Sequence, residues 1–94
     1  MFLFIITNRY RFIMTTPSLL LYSRSTCPYC KRVTQFLSEN NIHLEIKDVG
    51  LDKAAYQDMI TLSGGTQVPC LKIDNDFMLE SLDIIAYLKK IYQK

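Results

Sequence analysis

A short apolar run, Leu19 to Tyr22, is followed within a few residues by two cysteines in the order Cys27-Pro28-Tyr29-Cys30. No other stretch of the chain restricts its fold and chemistry as much. An apolar strand feeding a helix whose first turn carries Cys-x-x-Cys is the arrangement of a redox site. Pro28 suits the first helical position, where a missing N–H removes no bond and φ is already set. Cys27 then falls at the N-cap, facing unpaired N–H groups and the positive end of the helix dipole. That environment favours a thiolate over a thiol. Cys30 falls one turn in, within reach of Cys27 for a disulfide and better shielded. The chemistry predicted is thiol–disulfide exchange, with Cys27 attacking and Cys30 resolving.

A magnitude shows what lowering the Cys27 pKa achieves. A thiol of pKa about 8.5 is only a few per cent ionised at neutral pH, so full ionisation gains on the order of thirtyfold. Nucleophilicity falls with basicity at a slope of about 0.4–0.5, and a drop of about three units returns most of that gain. The advantage lies in the reverse role, because a sulfur of low pKa leaves faster when a second thiol attacks its mixed disulfide. The pattern therefore suits a cycle in which Cys27 is alternately nucleophile and leaving group.

Ninety-four residues make one small domain, and a hydrophobic content of 49% is enough for a core. The formal charge of +2 is carried by scattered lysines and arginines, which argues against a nucleic-acid partner. Three cysteines form an odd set for a secreted disulfide framework, so a reducing compartment is expected, and with it a cytoplasmic location. A zinc site would want a fourth ligand, and one histidine, His43, with a distant Cys70 is poor support, so no metal is expected. At the N-terminus the longest apolar run, Phe2 to Ile6, is shorter than a signal-peptide core and far short of a membrane span. Asn8, Arg9 and Arg11 break up the residues after it. The domain is expected to start near Met14, with residues 1–13 an extension, disordered or an over-called start; the alternative for them is a weak membrane-surface or organelle-targeting segment, and no membrane partner is expected.

Taken in order, Ser18 to Ser23 reads as a buried strand because its apolar run is continuous rather than alternating. Apolar positions then recur at helical spacing from Pro28 to about Asn40, with Asn40 and Asn41 as left-handed terminators. Ile42 to Val49 alternates, which predicts a strand with Ile42, Leu44 and Ile46 inward and His43 exposed. Asp52 caps a second helix whose residues Ala55, Met59 and Leu62 share a face, and Gly64-Gly65 ends it. Val68 to Ile73 is a third strand, Asp74-Asn75-Asp76 a tight turn, and Phe77 to Leu79 a fourth strand. Ser81 caps a last helix with Ile84, Ile85, Leu88, Ile91 and Tyr92 on its buried side. The order is βαβαββα, an α/β fold with a four-stranded sheet flanked by three helices. Right-handed crossovers are expected to set the first and third strands parallel at its centre, with the hairpin strand at an edge. Cys70 reads as a half-buried strand thiol.

From about Ser18 to Tyr92 the chain resembles the glutaredoxins. Cys27-Pro28-Tyr29-Cys30 matches the dithiol glutaredoxin active site, and Val68-Pro69 matches the cis-proline segment of thioredoxin-like proteins. The stretch VPCLKIDNDFMLESLDIIAYL is similar to the N-terminal domain of glutathione S-transferases and the glutaredoxins nearest to them. The resemblance implies a thioredoxin-like fold with a mixed sheet over residues 14–94, and glutathione as co-substrate without a tightly bound cofactor. It implies that glutathione is held by Arg24, Tyr29, Gln67, Val68, Pro69, Glu80, Ser81 and Asp83. Glu80-Ser81 takes the γ-glutamyl end in that reading, and the cis-proline turns the backbone of Val68 toward the ligand. Two positions depart from the common small glutaredoxins: Gln67 stands where a threonine is usual, and Glu80-Ser81 where a Gly-Gly or Gly-Cys pair is usual.

The activity implied is glutathione-dependent reduction of protein–glutathione mixed disulfides and protein disulfides, by a monomer. One alternative is a redoxin fed by thioredoxin reductase. Another, from a different class, is an iron–sulfur cluster carrier bridging a cluster through Cys27 and glutathione, and a third is a bare glutathione-binding module. Pro28-Tyr29 argues against the carrier, whose relatives usually present Cys-Gly-Phe-Ser.

Overall fold

The run Leu19–Ser23 forms β1, and each of its residues is partly or fully shielded because helices cover both sides of the sheet. The computed structural model describes residues 17–92, so the expected start near Met14 and the extension 1–13 lie outside the described residues. The remaining elements are α1 (Pro28–Glu39), β2 (Glu45–Asp48), α2 (Lys53–Ser63), β3 (Cys70–Ile73), β4 (Asp76–Leu79) and α3 (Ser81–Tyr92). Among the described residues no helix is long and apolar enough to cross a membrane.

The strands lie in the order β2-β1-β3-β4. β1 and β2 are parallel, with Leu21 opposite Ile46. β1 and β3 are the central pair, but they run antiparallel, with Leu21 opposite Leu71 and Tyr22 opposite Cys70. This corrects the parallel pairing expected of the first and third strands. The handedness rule governs only a return to a parallel strand, and β1–α1–β2 is such a return. The second connection adds the irregular segment 64–69 to α2, and it enters β3 at the end of the sheet where β1 leaves. β4 pairs antiparallel with β3 and forms one edge, as expected of the hairpin strand, and β2 forms the other.

Two apolar layers arise from the helical spacing of the sequence. Val33 and Leu37 of α1 and Ile84 and Leu88 of α3, each pair four residues apart, pack with Leu21 and Leu71 on one face of the sheet. Ala55 and Met59 of α2 cover Tyr22, Val49 and Cys70 on the other. Asp52 Oδ1 accepts the Ala55 N–H at 3.0 Å, and left-handed Gly64 (φ 79) donates its N–H to the Ile60 carbonyl at 2.8 Å.

The differences from expectation lie at edges and ends. The predicted strand 42–49 pairs only over Glu45–Asp48; Ile42 and Leu44 pack on the α1/α3 layer before it begins, and Ile46 is 46% exposed on the uncovered edge. The predicted strand 68–73 begins at Cys70, since Pro69 has no N–H to give a ladder. Asp76 belongs to β4, which leaves Asp74-Asn75 as the turn. Asn41 (φ 53) is left-handed, but Asn40 (φ −109) is not. Tyr92, expected on the buried side, is exposed because burial declines over the last turn of α3.

Cys70, expected half-buried, is fully enclosed in the centre of the sheet, and burial pushes its thiol up to about 11. A group so shifted keeps its proton in the native state after the unfolded chain has lost it. The stability it contributes is intact below the ordinary thiol value and falls as pH rises from there toward about 11. Chemical denaturation of Cys70→Ala across that window is expected to show a shallower decline than wild type, by up to about 3 kcal/mol. Equal declines would mean that Cys70 ionises freely.

Candidate active site

The loop from Arg24 to Thr26 carries the chain from β1 into α1, and two bonds tie it down. The Arg24 carbonyl accepts the Cys27 N–H at 3.0 Å, and Asp48 Oδ2 accepts the Ser25 N–H at 3.2 Å. Asp48 closes β2 opposite Ser23, and its Oδ1 accepts the Gly50 N–H at 2.7 Å. The Gly50 N–H, followed by the Ser25 contacts, holds the Asp48 carboxyl below the usual carboxylate range. A charged carboxylate on the neighbouring parallel strand thus anchors the loop that presents the first cysteine.

Cys27 is the N-cap of α1 (φ −91, ψ 120) and Pro28 its first residue. The Cys27 Sγ accepts the Cys30 N–H at 3.4 Å and stands 3.9 Å from the Val68 carbonyl. Partial burial pushes the Cys27 thiol up, but the N–H of Cys30, the Cys30 side chain, the N–H of Tyr29 and the Arg24 cation outweigh it. The net displacement is downward. Cys30 is 1% exposed, and burial together with the adjacent Cys27 moves its thiol upward against weaker pulls from Arg24 and Ser23. Both are free thiols. One turn of helix therefore separates a sulfur disposed to ionise from one disposed to keep its proton.

The Val68–Pro69 peptide is cis. Because β3 opposes β1, Pro69 at its entrance adjoins the exit of β1, and β4 carries Glu80-Ser81 back to the same end. A cleft of about 640 Å³ opens there, walled by Tyr29 and Arg32 of α1, by Gln67–Pro69, and by Glu80–Asp83 at the start of α3. Cys27 stands at its edge through the contact with Val68. Among the described residues no three His, Cys, Asp or Glu side chains gather as a metal site.

Of the residues singled out in the sequence, Tyr29, Gln67, Val68, Pro69, Glu80, Ser81 and Asp83 come together in this cleft. Arg24 does not line it. Its stem lies over Gly50, where an added Cβ would stand 3.5 Å from Arg24 Cγ and 3.1 Å from Asp48 Oδ1. Arg24 acts on Cys27 as a charge. Ser81 is the first residue of α3 rather than its cap, because the Glu80 carbonyl accepts the Ile84 N–H at 3.0 Å. The left-handed backbone of Glu80 (φ 76) turns the chain from β4 into the helix and leaves Ser81 buried.

Two wall residues were missed, Arg32 and Leu82. Arg32 lies three positions after Tyr29, on the same helical face, which is the signal that could have found it. Its guanidinium sits 5.5 Å from the Tyr29 ring centroid and its Nη1 3.4 Å from Ser81 Oγ. Leu82 comes directly after Ser81 and is 63% exposed, and nothing in its spacing marks it.

Residues 19–78 match the glutaredoxin family model. The chain belongs to the glutaredoxin family. Glutaredoxin 3 of Escherichia coli is 35% identical over 54 residues, covering 57% of this chain and 65% of that protein. Human glutathione transferase theta-2, solved in complex with glutathione, superposes with a TM-score of 0.71 at 26% identity, over 82% of this chain and 32% of the transferase. A mutant of the thioredoxin-like protein BC3987 superposes with a TM-score of 0.68 at 27% identity, over 80% of this chain and 94% of that one. The fold of this glutaredoxin is thioredoxin-like, and it spans about a third of the transferase chain.

Two outcomes are expected of the site. A residue other than glycine in the left-handed region costs about 1–2 kcal/mol, whereas glycine's extra chain entropy costs about 0.5–1 kcal/mol. Glu80→Gly is therefore expected to be more stable than Glu80→Ala by about 0.5–1 kcal/mol in urea denaturation, the reverse of the usual order. Iodoacetamide alkylation measured against pH should place the Cys27 midpoint below that of a free thiol and the Cys30 midpoint above it. Arg24→Gln should raise the Cys27 midpoint, and no movement would mean that the Arg24 charge does not favour the thiolate.

Proposed function

We propose that this glutaredoxin is a glutathione-dependent oxidoreductase that reduces protein–glutathione mixed disulfides and protein disulfides through Cys27. One observation carries the reading. Beside the Cys27 sulfur, a single cleft offers a carboxylate site and an ammonium site close together. The N-terminus of α3, with Arg32 against Ser81, suits a carboxylate, and the Glu80 side chain suits an ammonium. That pairing fits the amino-acid head of a γ-glutamyl group, and an extended tripeptide lying past Val68 brings its cysteine toward Cys27.

In the proposed cycle the Cys27 thiolate attacks the glutathione sulfur of a mixed disulfide. The S–S bond breaks, and the protein thiolate leaves and takes up a proton. Cys27 is then bonded to glutathione. A second glutathione thiolate attacks that glutathione sulfur, forms glutathione disulfide and expels Cys27, whose lowered pKa makes it a good leaving group.

With a protein disulfide, Cys27 attacks one sulfur and expels the other as a thiolate, which takes up a proton; Cys30 then attacks Cys27, breaks that mixed disulfide and releases the second protein thiolate. The neighbouring Cys27 sulfur helps keep the Cys30 proton in place. Once Cys27 is in a disulfide its charge is gone, so Cys30 becomes easier to ionise at the step that needs it. The resulting Cys27–Cys30 disulfide takes its two electrons from two glutathiones. An odd count of three cysteines suits a reducing compartment better than a secreted disulfide framework, and the cytoplasm is the proposed location.

A coupled assay with glutathione, glutathione reductase and a glutathionylated peptide tests this. Cys27→Ser is expected to fall to background. Cys30→Ser should keep activity on that peptide within about threefold while losing activity on protein disulfides. Faster turnover with thioredoxin reductase than with glutathione would overturn the proposal.

A further inference from the structure

Gln67 and Glu80 stand thirteen positions apart and both line the cleft, where Gln67 Nε2 donates to Glu80 Oε2 at 2.9 Å. We propose that Gln67 is a positioning residue for the head of the ligand: it holds the Glu80 carboxylate so that the free oxygen receives the ligand's ammonium, rather than touching the glycyl end itself. The proposal rests on the glutathione reading above and assigns Gln67 a task within it.

Three observations converge. The left-handed backbone of Glu80 fixes the direction in which its side chain leaves the chain, and that side chain forms part of the cleft wall. Gln67 then restrains the outer torsions of a carboxylate that is otherwise free to rotate in solvent. A carboxylate has no proton to give, so the amide NH₂ must face Glu80 and the amide carbonyl must turn away from it. That carbonyl is left as a further acceptor in the same cleft.

The chemistry of the amide matters as well as its reach. A lysine or arginine at 67 would also hold Glu80, but it would cancel the charge that attracts an ammonium and compete for the same oxygens. A neutral amide orients the carboxylate without neutralising it. The bond also joins the segment entering β3 to the elbow entering α3.

Kinetics with three thiols separate this from direct contact: glutathione, glutaryl-cysteinylglycine (which lacks the ammonium) and γ-glutamylcysteine (which lacks the glycine). Gln67→Ala is expected to raise KM about three- to tenfold for glutathione and γ-glutamylcysteine, as expected for one lost hydrogen bond, with kcat nearly unchanged. It should leave KM for the glutaryl analogue unaltered. In a Glu80→Gln background the same substitution should add nothing. A penalty that persists with the glutaryl analogue and vanishes with γ-glutamylcysteine would assign Gln67 to the glycyl end and overturn the proposal. So would an equal penalty on all three thiols, no penalty on any, or additive losses in the double variant. A wild-type protein that fails to saturate with glutathione would bring down the glutathione reading itself, which is a distinct result.

Discussion

Tyr22 stands opposite Cys70, and Cys70 opposite Leu79, across two successive antiparallel pairings. β1 leaves the sheet just after Tyr22, β3 enters at Cys70, and β4 leaves at Leu79, all at one end. The three connecting segments at that end carry Cys27, Pro69 and Glu80, which are far apart in sequence. Were β3 parallel to β1, Pro69 would lie at the opposite end of a four-residue strand, about 13 Å away. The thiol and the cleft would then belong to different surfaces. Strand direction, more than any single contact, makes the site possible.

The same domain places three thiols in three environments, and their proton affinities differ accordingly. Cys70 is enclosed between α2 and the centre of the sheet, and burial alone pushes it to about 11. Cys30 is buried within the first turn of α1, where burial and its sulfur neighbour act in the same direction. Cys27 is also partly desolvated, but it alone stands where N–H groups of the helix start point at the sulfur. Chemical identity is constant across the three, so the ranking comes from the number of donors each sulfur meets and how far it is removed from water. Asp48 contributes by holding the loop that delivers Cys27 to those donors.

Features set by neighbours in the chain were legible in the sequence. Cys27 at the helix start, the Asp52 cap, the Gly64 terminus and the i, i+4 apolar pairs all derive from local stereochemistry. Features set by distant neighbours were not. A continuous apolar strand reads identically whether its central partner runs parallel or antiparallel, so the direction of β3 carried no local signal. Edge position likewise decides that Ile46 is exposed, although its alternation with Lys47 resembles that of a covered strand. Arg24 is close to Cys27 in sequence, yet its side chain lies against the Asp48–Gly50 turn of another strand. Ser81 reads as a cap by composition, but the left-handed turn at Glu80 advances the helix start by one residue.

In the proposed cycle the nucleophile and the ligand head are held by different helices, and both helices lie on one face of the sheet. Val33 and Leu37 of α1 pack with Ile84 and Leu88 of α3, and the Arg32–Ser81 contact links the two at the cleft. Cys27 caps the first of these helices, and Glu80 precedes the second. The distance between the Cys27 sulfur and Glu80 is therefore a property of apolar packing beneath the cleft. Misplacing reacting groups by about 1 Å can cost on the order of a hundredfold in rate. On the proposed reading the buried α1/α3 layer thus has a second task besides stability: it keeps the thiol and the ligand's anchoring point in register.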